Sequence, residues 1–143
     1  MTASRPGALR RLAELRPLDV AQVVVVAAQL ARAEALLRLR PVDRVAAAYG
    51  MLFDEEGPAQ TGPVALSDAE RRWLHNATRM MLRWPLDRSC LRRSLTLGWI
   101  LRRRRPELVI GTRLDDGVLA AHAWVRLGTI DLDPSATEHV RFD

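Results

Sequence analysis

The stretch Ser-Cys-Leu-Arg-Arg-Ser-Leu at residues 89–95 decides how the second half of this chain folds. Residues typical of a buried helix recur through and beyond it at helical spacing, at Leu91, Leu95, Gly98 and Trp99. The sequence predicts a helix that begins near Ser89 or Cys90 and ends in the arginines at 102–105, which complement the negative end of the helix dipole. Asp87 or Ser89 is the expected cap, so Cys90 lies in the first turn.

Beyond Pro106 the hydrophobic period changes to two, which is the period of a β-strand. Segments 107–114 and 118–127 are predicted strands, and the Asp-Asp-Gly between them is a hairpin signal. A third short strand is predicted at 129–133. The second half of the chain is therefore expected to form one helix beside an antiparallel meander.

The first half of the chain is predicted to be helical. The expected helices are 18–39, a short one from Pro41 to near Gly50, and one from a capping box of Ser67 and Glu70 to about Arg83. The Gly- and Pro-containing stretch 53–64 predicts a loop. These elements predict an α+β fold in a single domain, 1–143, with a helical N-terminal region at 1–52 and a second part at 66–143.

Composition limits the possible function classes. The chain has 143 residues and a net charge of +5, and all 22 of its cationic side chains are arginine. One cysteine excludes an internal disulfide and any cysteine-based zinc cluster. The most apolar stretch, 20–37, contains Gln22, Gln29, Arg32 and Glu34, so we expect no membrane span and a soluble, cytoplasmic protein. Basic residues alone indicate nucleic-acid binding weakly, and no nucleic-acid-binding module is recognisable.

Three residues in the second half have the chemistry of a papain-like thiol site. Cys90 is a nucleophile at a helix start, His122 is a base on a strand, and Asp133 is a carboxylate that could orient the base. A helix N-terminus and a nearby imidazolium both favour the thiolate form of cysteine. The unpaired N–H groups of the first helical turn could also form part of an oxyanion hole.

The position of the carboxylate depends on the turn between the last two strands. If Leu127-Gly128 is a two-residue turn, His122 lies directly opposite Asp133, with Cβ atoms about 4.5–5.5 Å apart. Asp131 then shares the same face but lies opposite Trp124. A turn of different length would shift this register, so Asp131 stays an alternative to Asp133.

Four segments resemble the stand-alone leader peptidases of lasso peptide biosynthesis, a family of transglutaminase-like cysteine hydrolases. These segments are Cys-Leu-Arg-Arg-Ser-Leu-Thr-Leu (90–97), Leu-Val-Ile-Gly-Thr-Arg (108–113), Ala-His-Ala-Trp-Val (121–125) and Asp-Leu-Asp-Pro (131–134). The resemblance implies a papain- or transglutaminase-like core, of one central helix and a short antiparallel sheet, in the catalytic part 66–143. It covers residues from about Arg83 to Pro134 well and residues 8–50 loosely. The hairpin from His122 to Asp133 is about one residue shorter than is usual in that family.

The resemblance also implies an activity and partners. The enzyme would remove the leader from a ribosomally made precursor peptide, with Cys90 as nucleophile, His122 as base and then acid, and Asp133 as the orienting carboxylate. No metal or cofactor is expected. A separate leader-recognition protein is the implied partner, and the macrolactam-forming cyclase, which acts on the freed core, is a further candidate. Trp84, six residues before Cys90, is a candidate second oxyanion donor, whose other interpretation is a core aromatic.

Two other functions are compatible with the same residues. The chain could be a different acyl-transfer enzyme, such as a transglutaminase or an amidase, or a non-catalytic peptide-binding module with an inactive triad. The eight arginines between Arg83 and Arg105, against the single acid Asp87, are either a solvated surface or a docking face for an acidic leader or for a partner protein. Trp124 is expected to pack beside His122, either as a shield or as a wall of the substrate cleft.

Overall fold

The computed structural model describes residues 17–53, 64–82, 89–115 and 117–132. Its elements in chain order are α1 (Pro17–Leu39), α2 (Val42–Ala48), β1 (Leu52–Phe53), α3 (Asp68–Leu82), α4 (Cys90–Ile100), a 3-10 turn (Arg102–Arg104), β2 (Glu107–Asp115), β3 (Val118–Leu127) and β4 (Ile130–Leu132). The α+β class is confirmed, and these elements agree with the predicted helices and strands to within one or two residues, except for β1 and for the end of α4, which stops at Ile100 before the 3-10 turn of the arginines.

The sheet is mixed, because a strand that was not predicted adds to one edge. Its order is β1-β2-β3-β4, with β1 parallel to β2 and the other neighbours antiparallel. Leu52 pairs with Glu107, and its N–H donates to the Pro106 carbonyl at 2.8 Å. Two residues are too few to show a period in sequence, so the prediction of a wholly antiparallel sheet was wrong at this edge.

The turn between β3 and β4 differs from the predicted one. Leu127 pairs with Ile130 and Arg126 with Asp131, so the turn is Gly128-Thr129, and Gly128 has a φ of 60°. A tight hairpin turn requires positive φ, which glycine adopts without strain, so the glycine takes the first turn position. The Leu127-Gly128 turn was wrong, and so was the pairing of Asp131 with Trp124. The expected opposition of His122 and Asp133 loses that support, and Asp133 itself lies outside the described residues.

Helix α4 is the centre of the fold. It packs against α1 and α3 on one side and against β2 and β3 on the other. Six consecutive residues from Arg93 to Gly98 are buried. Gly98 is required by this packing, since a Cβ there would lie 2.1 Å from the Met51 sulfur. The helix that begins at Cys90 is therefore packed on two sides by its neighbours.

Helix α1 covers one side of α4 and leaves part of its own apolar surface exposed. Val26, Leu30 and Ala33 are buried in the core at helical spacing. By length and composition the segment Asp19–Leu39 could also cross a membrane, although a core helix of a soluble protein passes the same test. The absence of a membrane span therefore stays a prediction.

The predicted capping box at the start of α3 is confirmed, and it is tied to the end of α4. The Ser67 N–H donates to the Glu70 carboxylate at 2.8 Å, and the Glu70 N–H donates to Ser67 Oγ at 3.2 Å. Arg104 also donates to both oxygens of Glu70, each at 3.0 Å. The hydrogen bond from Arg104 is the main cause that lowers the pKa of Glu70 to about 2, against the opposing effect of burial.

The Glu70 carboxylate is expected to make stability depend on acid pH. Its folded pKa is depressed, so its stabilisation is complete above about pH 4.5 and is lost as pH falls toward about 2. The pair is partly solvent-exposed, so we expect only about 1 kcal/mol of unfolding free energy to be lost in this window. Urea unfolding at several pH values should show a shallower pH dependence for Glu70→Gln than for the wild type. Equal dependences for the two proteins would contradict this assignment.

Candidate active site

Cys90 is the first residue of α4, as expected from the sequence. Ser89 is the N-cap, with φ −60° and ψ 126°, and its Oγ accepts a hydrogen bond from the Arg92 N–H at 3.5 Å. The Cys90 side chain is half-buried and packs against the edge of the core. The sulfur therefore lies at the positive end of a helix and keeps some access to solvent.

The backbone around Cys90 offers hydrogen-bond donors. Ser89 accepts hydrogen bonds from two backbone N–H groups near the start of α4. The Arg92 N–H donates to its Oγ, and the Arg93 N–H donates to its carbonyl oxygen at 3.3 Å. The N–H groups of Cys90 and Leu91 belong to the same first turn, which has no acceptors within the helix. They are therefore the groups of α4 best placed to stabilise negative charge that forms next to the sulfur.

A buried hydrogen bond joins the helix of Cys90 to the strand of His122. Ser94 Oγ donates to the carbonyl oxygen of Ala123 at 3.0 Å, and the Ser94 side chain has no solvent exposure. Ser94 is one helical turn after Cys90, on the same side of α4, at a rise of about 6 Å. Ala123 directly follows His122, at a Cα separation of about 3.8 Å. The helix that begins at Cys90 and the strand that carries His122 are therefore in direct contact.

The ladder pattern shows where this contact lies in the sheet. Backbone groups of an antiparallel strand point alternately to its two neighbours, and residues that flank a two-residue turn bond to each other. Because Leu127 pairs with Ile130 across such a turn, the carbonyl groups of residues 127, 125 and 123 point toward β4. The described pairs of β4 end at Leu132, opposite Val125. The hydrogen bond from Ser94 therefore meets β3 two residues beyond the last described pair with β4, on the edge of β3 that faces β4.

His122 lies on the sheet face opposite the main core. Ala123, Val125 and Leu127 of β3 are buried, and the residues between them are half-buried. The imidazole of His122 stacks on the Trp124 ring, with centroids 5.7 Å apart and an interplanar angle of 23°. The expected packing of Trp124 beside His122 is confirmed. The Trp124 ring therefore lies beside one face of the imidazole.

Gly111 makes room for the Trp124 ring. Gly111 pairs with His122 across β2 and β3, and a Cβ on Gly111 would lie 2.9 Å from Cη2 of Trp124. The Trp124 indole nitrogen is buried and has no hydrogen-bond acceptor among the described residues. Packing, rather than a hydrogen bond, therefore holds the ring against His122.

Adding a methyl group at Gly111 is expected to disturb the imidazole through Trp124. Gly111→Ala should lower stability by about 1–2 kcal/mol, because the ring must move. It should also reduce thiol-dependent activity about tenfold, since a small misplacement of a catalytic group is costly. Trp124→Phe removes the atoms that would clash. The double variant should therefore lose less stability and less activity than the sum of the losses of the two single variants. Additive losses in chemical unfolding and in activity would exclude this coupling.

Of the two candidate carboxylates, only Asp131 lies within the described residues. Asp131 is exposed and lies opposite Arg126, whose Nε is 2.8 Å from its Oδ1. It therefore forms a surface ion pair, and its partner Arg126 is four residues, or about 13 Å, along the strand from His122. Asp133 lies outside the described residues, as do Trp84 and Asp87, so Asp133 as the orienting group and Trp84 as an oxyanion donor stay predictions.

Two residues that pack next to the candidate site residues were not identified from the sequence as functional. Ser94 joins α4 to β3, and Gly111 admits the Trp124 ring. The sequence contained a signal for each, because a small polar residue one turn after a cysteine on a buried helix face needs a partner. A glycine inside a strand likewise indicates a close approach by another group.

The described residues offer no metal site of the usual composition. Within these segments no group of three or more His, Cys, Asp or Glu side chains is arranged to hold a metal ion. The chemistry that the described residues themselves supply is that of a thiol, an imidazole and backbone N–H donors.

Comparison with known families gives one match. The family described as the Transglutaminase-like superfamily matches residues 28–142, which is most of the chain and includes both α4 and the sheet. No curated protein and no solved structure matches. Members of this superfamily are typically cysteine proteases or acyltransferases.

Proposed function

Because the chain belongs to the transglutaminase-like superfamily, we propose that it is a cysteine peptidase that removes the leader from a ribosomally synthesised lasso precursor peptide. The observation that best supports the proposal is the Ser94–Ala123 hydrogen bond, which joins the helix that begins at Cys90 to the strand that carries His122. The resemblance of the segments around Cys90 and His122 to lasso leader peptidases supports the choice of substrate.

The proposed reaction uses the thiol and the imidazole in two steps. The Cys90 thiolate attacks the carbonyl carbon of the last leader residue, while N–H groups of the first turn of α4 stabilise the oxyanion. The C–N bond then breaks, and the core amine leaves with a proton from His122. Water gives a proton to His122 and attacks the thioester, which releases the leader acid and regenerates the thiolate. Asp133 holds the imidazole in the required orientation.

The proposed partners follow from the same pathway. The substrate is the leader region of the precursor, presented by a separate leader-recognition protein in the cytoplasm. The freed core amine would then pass to the macrolactam-forming cyclase. The test is to search the neighbouring genes for a short precursor and a leader-recognition protein, to incubate the chain with that precursor with and without that protein, and to weigh the products. Cleavage into leader and core supports the proposal, and an intact precursor in both reactions would overturn it.

The comparison of the two carboxylates gives a matched pair of variants. Asp133→Asn should reduce the cleavage rate by about 10³-fold or more, as loss of an orienting carboxylate does in other triads. Asp131→Asn should change it less than about threefold, because that carboxylate forms a surface pair with Arg126. Equal losses in single-turnover cleavage, or the reverse order, would move the orienting role to another residue.

Another acyl-transfer function is the second candidate, because the superfamily includes acyltransferases. A transglutaminase or amidase would use the same thiol but would act on a side-chain amide. Mass analysis separates these outcomes: peptidase activity gives two fragments, and the alternative gives a cross-linked or deamidated precursor. A non-catalytic peptide-binding module would leave the precursor unchanged and would leave Cys90 no more reactive than a free thiol.

A further inference from the structure

A groove lies at the end of α4 opposite Cys90. It has a volume of 490 Å³, which is within the usual range for binding pockets, and it lies between α3 and the 3-10 turn. Its walls include Glu70, Trp73, Trp99 and the three arginines of the turn, Arg102–Arg104. Two indole rings beside three cations are a combination that thiol chemistry at Cys90 does not require.

The charges of the groove are only partly balanced. Arg104 is neutralised by its two hydrogen bonds to Glu70. Arg102 lies over the Trp99 ring at 4.0 Å and donates to the Trp99 carbonyl oxygen at 2.8 Å, which complements the end of α4. Arg103 is exposed. No carboxylate among the described residues is paired with Arg102 or Arg103, so the groove has an excess of positive charge.

We propose that this groove binds an acidic segment of the substrate peptide that carries a large apolar side chain, at a distance from the bond that is cut. The indole rings of Trp73 and Trp99 offer apolar surface to the side chain, and Arg102 and Arg103 offer donors to carboxylates. The source is the leader of the precursor, so this inference rests on the proposed function. It assigns a substrate-binding role to part of the arginine-rich segment, in addition to complementing the helix end.

The N-terminal segment of the chain itself is a poor occupant. Residues 1–16 contain four arginines and one acidic residue, Glu14, so their net charge has the same sign as that of the groove. A folded protein domain is also too large to enter a groove of 490 Å³ with more than a few side chains. A short acidic peptide segment satisfies both the charge and the size of the site.

Helix geometry sets the distance between the groove and the scissile bond. Cys90 and Ile100 are separated by ten residues of α4, or about 15 Å along the axis. An extended peptide spans about 3.3 Å per residue, so at least about five residues must separate the two bound positions. A short substrate that ends within this distance cannot use the groove.

Indole N–H signals provide a direct test of binding that does not depend on cleavage. The chain has four tryptophans, and nuclear magnetic resonance of the isotope-labelled, full-length Cys90→Ala protein should show one indole signal for each. The probes are a synthetic blocked peptide, Glu-Leu-Asp-Phe-Glu-Leu, and its counterpart with lysine at every acidic position. The acidic peptide should shift the signals of Trp73 and Trp99, assigned with Trp73→Phe and Trp99→Phe, and should leave that of Trp124 in place. The lysine peptide should shift none.

Charge variants test which side chains bind the probe. Arg102→Ala together with Arg103→Ala should weaken binding of the acidic peptide about tenfold, whereas Arg79→Ala, an exposed arginine on α3 outside the groove, should change it less than twofold. Three results would each overturn the proposal. They are equal binding of the acidic and the lysine peptide, no shift of the Trp73 and Trp99 signals, and tighter binding of a single-stranded oligothymidylate at these residues.

Kinetics separate a failure of the groove from a failure of the proposed function. With the full precursor, the double arginine variant should raise KM about tenfold and leave kcat unchanged, as loss of uniform binding does. With a substrate truncated to fewer than about five residues on the leader side of the scissile bond, the variant and the wild type should be equal. If the double arginine variant cleaves the precursor normally with an unchanged KM, the proposed role of the groove is wrong and the peptidase assignment stands. If no precursor is cleaved, the peptidase assignment fails, and the indole signals still decide whether an acidic peptide binds.

Discussion

Replacing Cys90 with alanine is expected to abolish precursor cleavage and to leave precursor binding within about twofold of the wild type. The thiolate is the only group in the proposed reaction that forms a covalent bond to the substrate, so we expect a loss of at least about 10⁴-fold. The side chain is half-buried at the helix start, where alanine is tolerated. Loss of folding is therefore not expected to cause the loss of activity.

Cleavage by the Cys90→Ala protein should be measured in single turnover, with binding measured separately by fluorescence anisotropy of a labelled precursor. Cys90 is the only thiol in the chain, so iodoacetamide provides a matched chemical control. One equivalent of label should remove activity to the same extent as the substitution. A Cys90→Ala protein that cuts at the wild-type rate would exclude the nucleophile assignment.

Replacing His122 with alanine is expected to reduce cleavage by about 10⁴-fold or more, because loss of the base in a triad costs more than loss of the orienting carboxylate. The imidazole takes and returns the proton in both steps of the proposed reaction. It should also make Cys90 reactive at pH 6, where an unperturbed thiol is almost wholly protonated. Wild-type alkylation by iodoacetamide at pH 6 should be at least about tenfold faster than that of glutathione, and His122→Ala should bring the rate close to that of glutathione.

The chain contains three histidines, which allows matched controls. His75 is exposed on α3, and His75→Ala should leave both cleavage and alkylation unchanged. His139, the third histidine of the sequence, lies outside the described residues and is an alternative candidate for the base. If His139→Ala reduces cleavage more than His122→Ala does, His139 would be the base instead of His122.

Local patterns were sufficient to predict the elements that carry the site. The capping box of Ser67 and Glu70, the cap at Ser89 and the hairpin of β2 and β3 each depend on residues close together in sequence. Backbone conformation there is decided by side chains within one turn, so single-sequence patterns predict it well. The positions of Cys90 at a helix start and of His122 on a strand followed from these elements.

Contacts between distant residues were not predictable in the same way. The two-residue strand β1 pairs with a segment more than fifty residues later, and no periodicity marks it. The turn at Gly128-Thr129 differs from Leu127-Gly128 by one position, which was enough to change every pair between β3 and β4. The positive φ of Gly128 decides that turn, and the sequence was compatible with glycine in either turn position.

The groove at the end of α4 likewise depends on contacts between residues that are distant in sequence. The arginines at 102–105 were interpreted as either a helix-end complement or a docking face. The structure shows that Arg102 complements the helix end, and that Arg104 binds Glu70 of α3. Only the packing of α3 against α4 makes Trp73 and Trp99 line one groove, so the aromatic walls could not be inferred from the arginines alone.

The mass of the intermediate on Cys90 tests the central claim most directly. The wild-type chain and excess precursor are mixed, quenched in acid within one turnover, and examined by intact-protein mass spectrometry with fragmentation. A peptidase that works through a thioester predicts a mass equal to the chain plus the free leader minus one water, located at Cys90. An adduct of the whole precursor minus one ammonia would show attack on a side-chain amide, and cleavage with no adduct by a protein that still cuts after Cys90 is fully alkylated would show that sulfur is not the nucleophile. Either result would contradict the account.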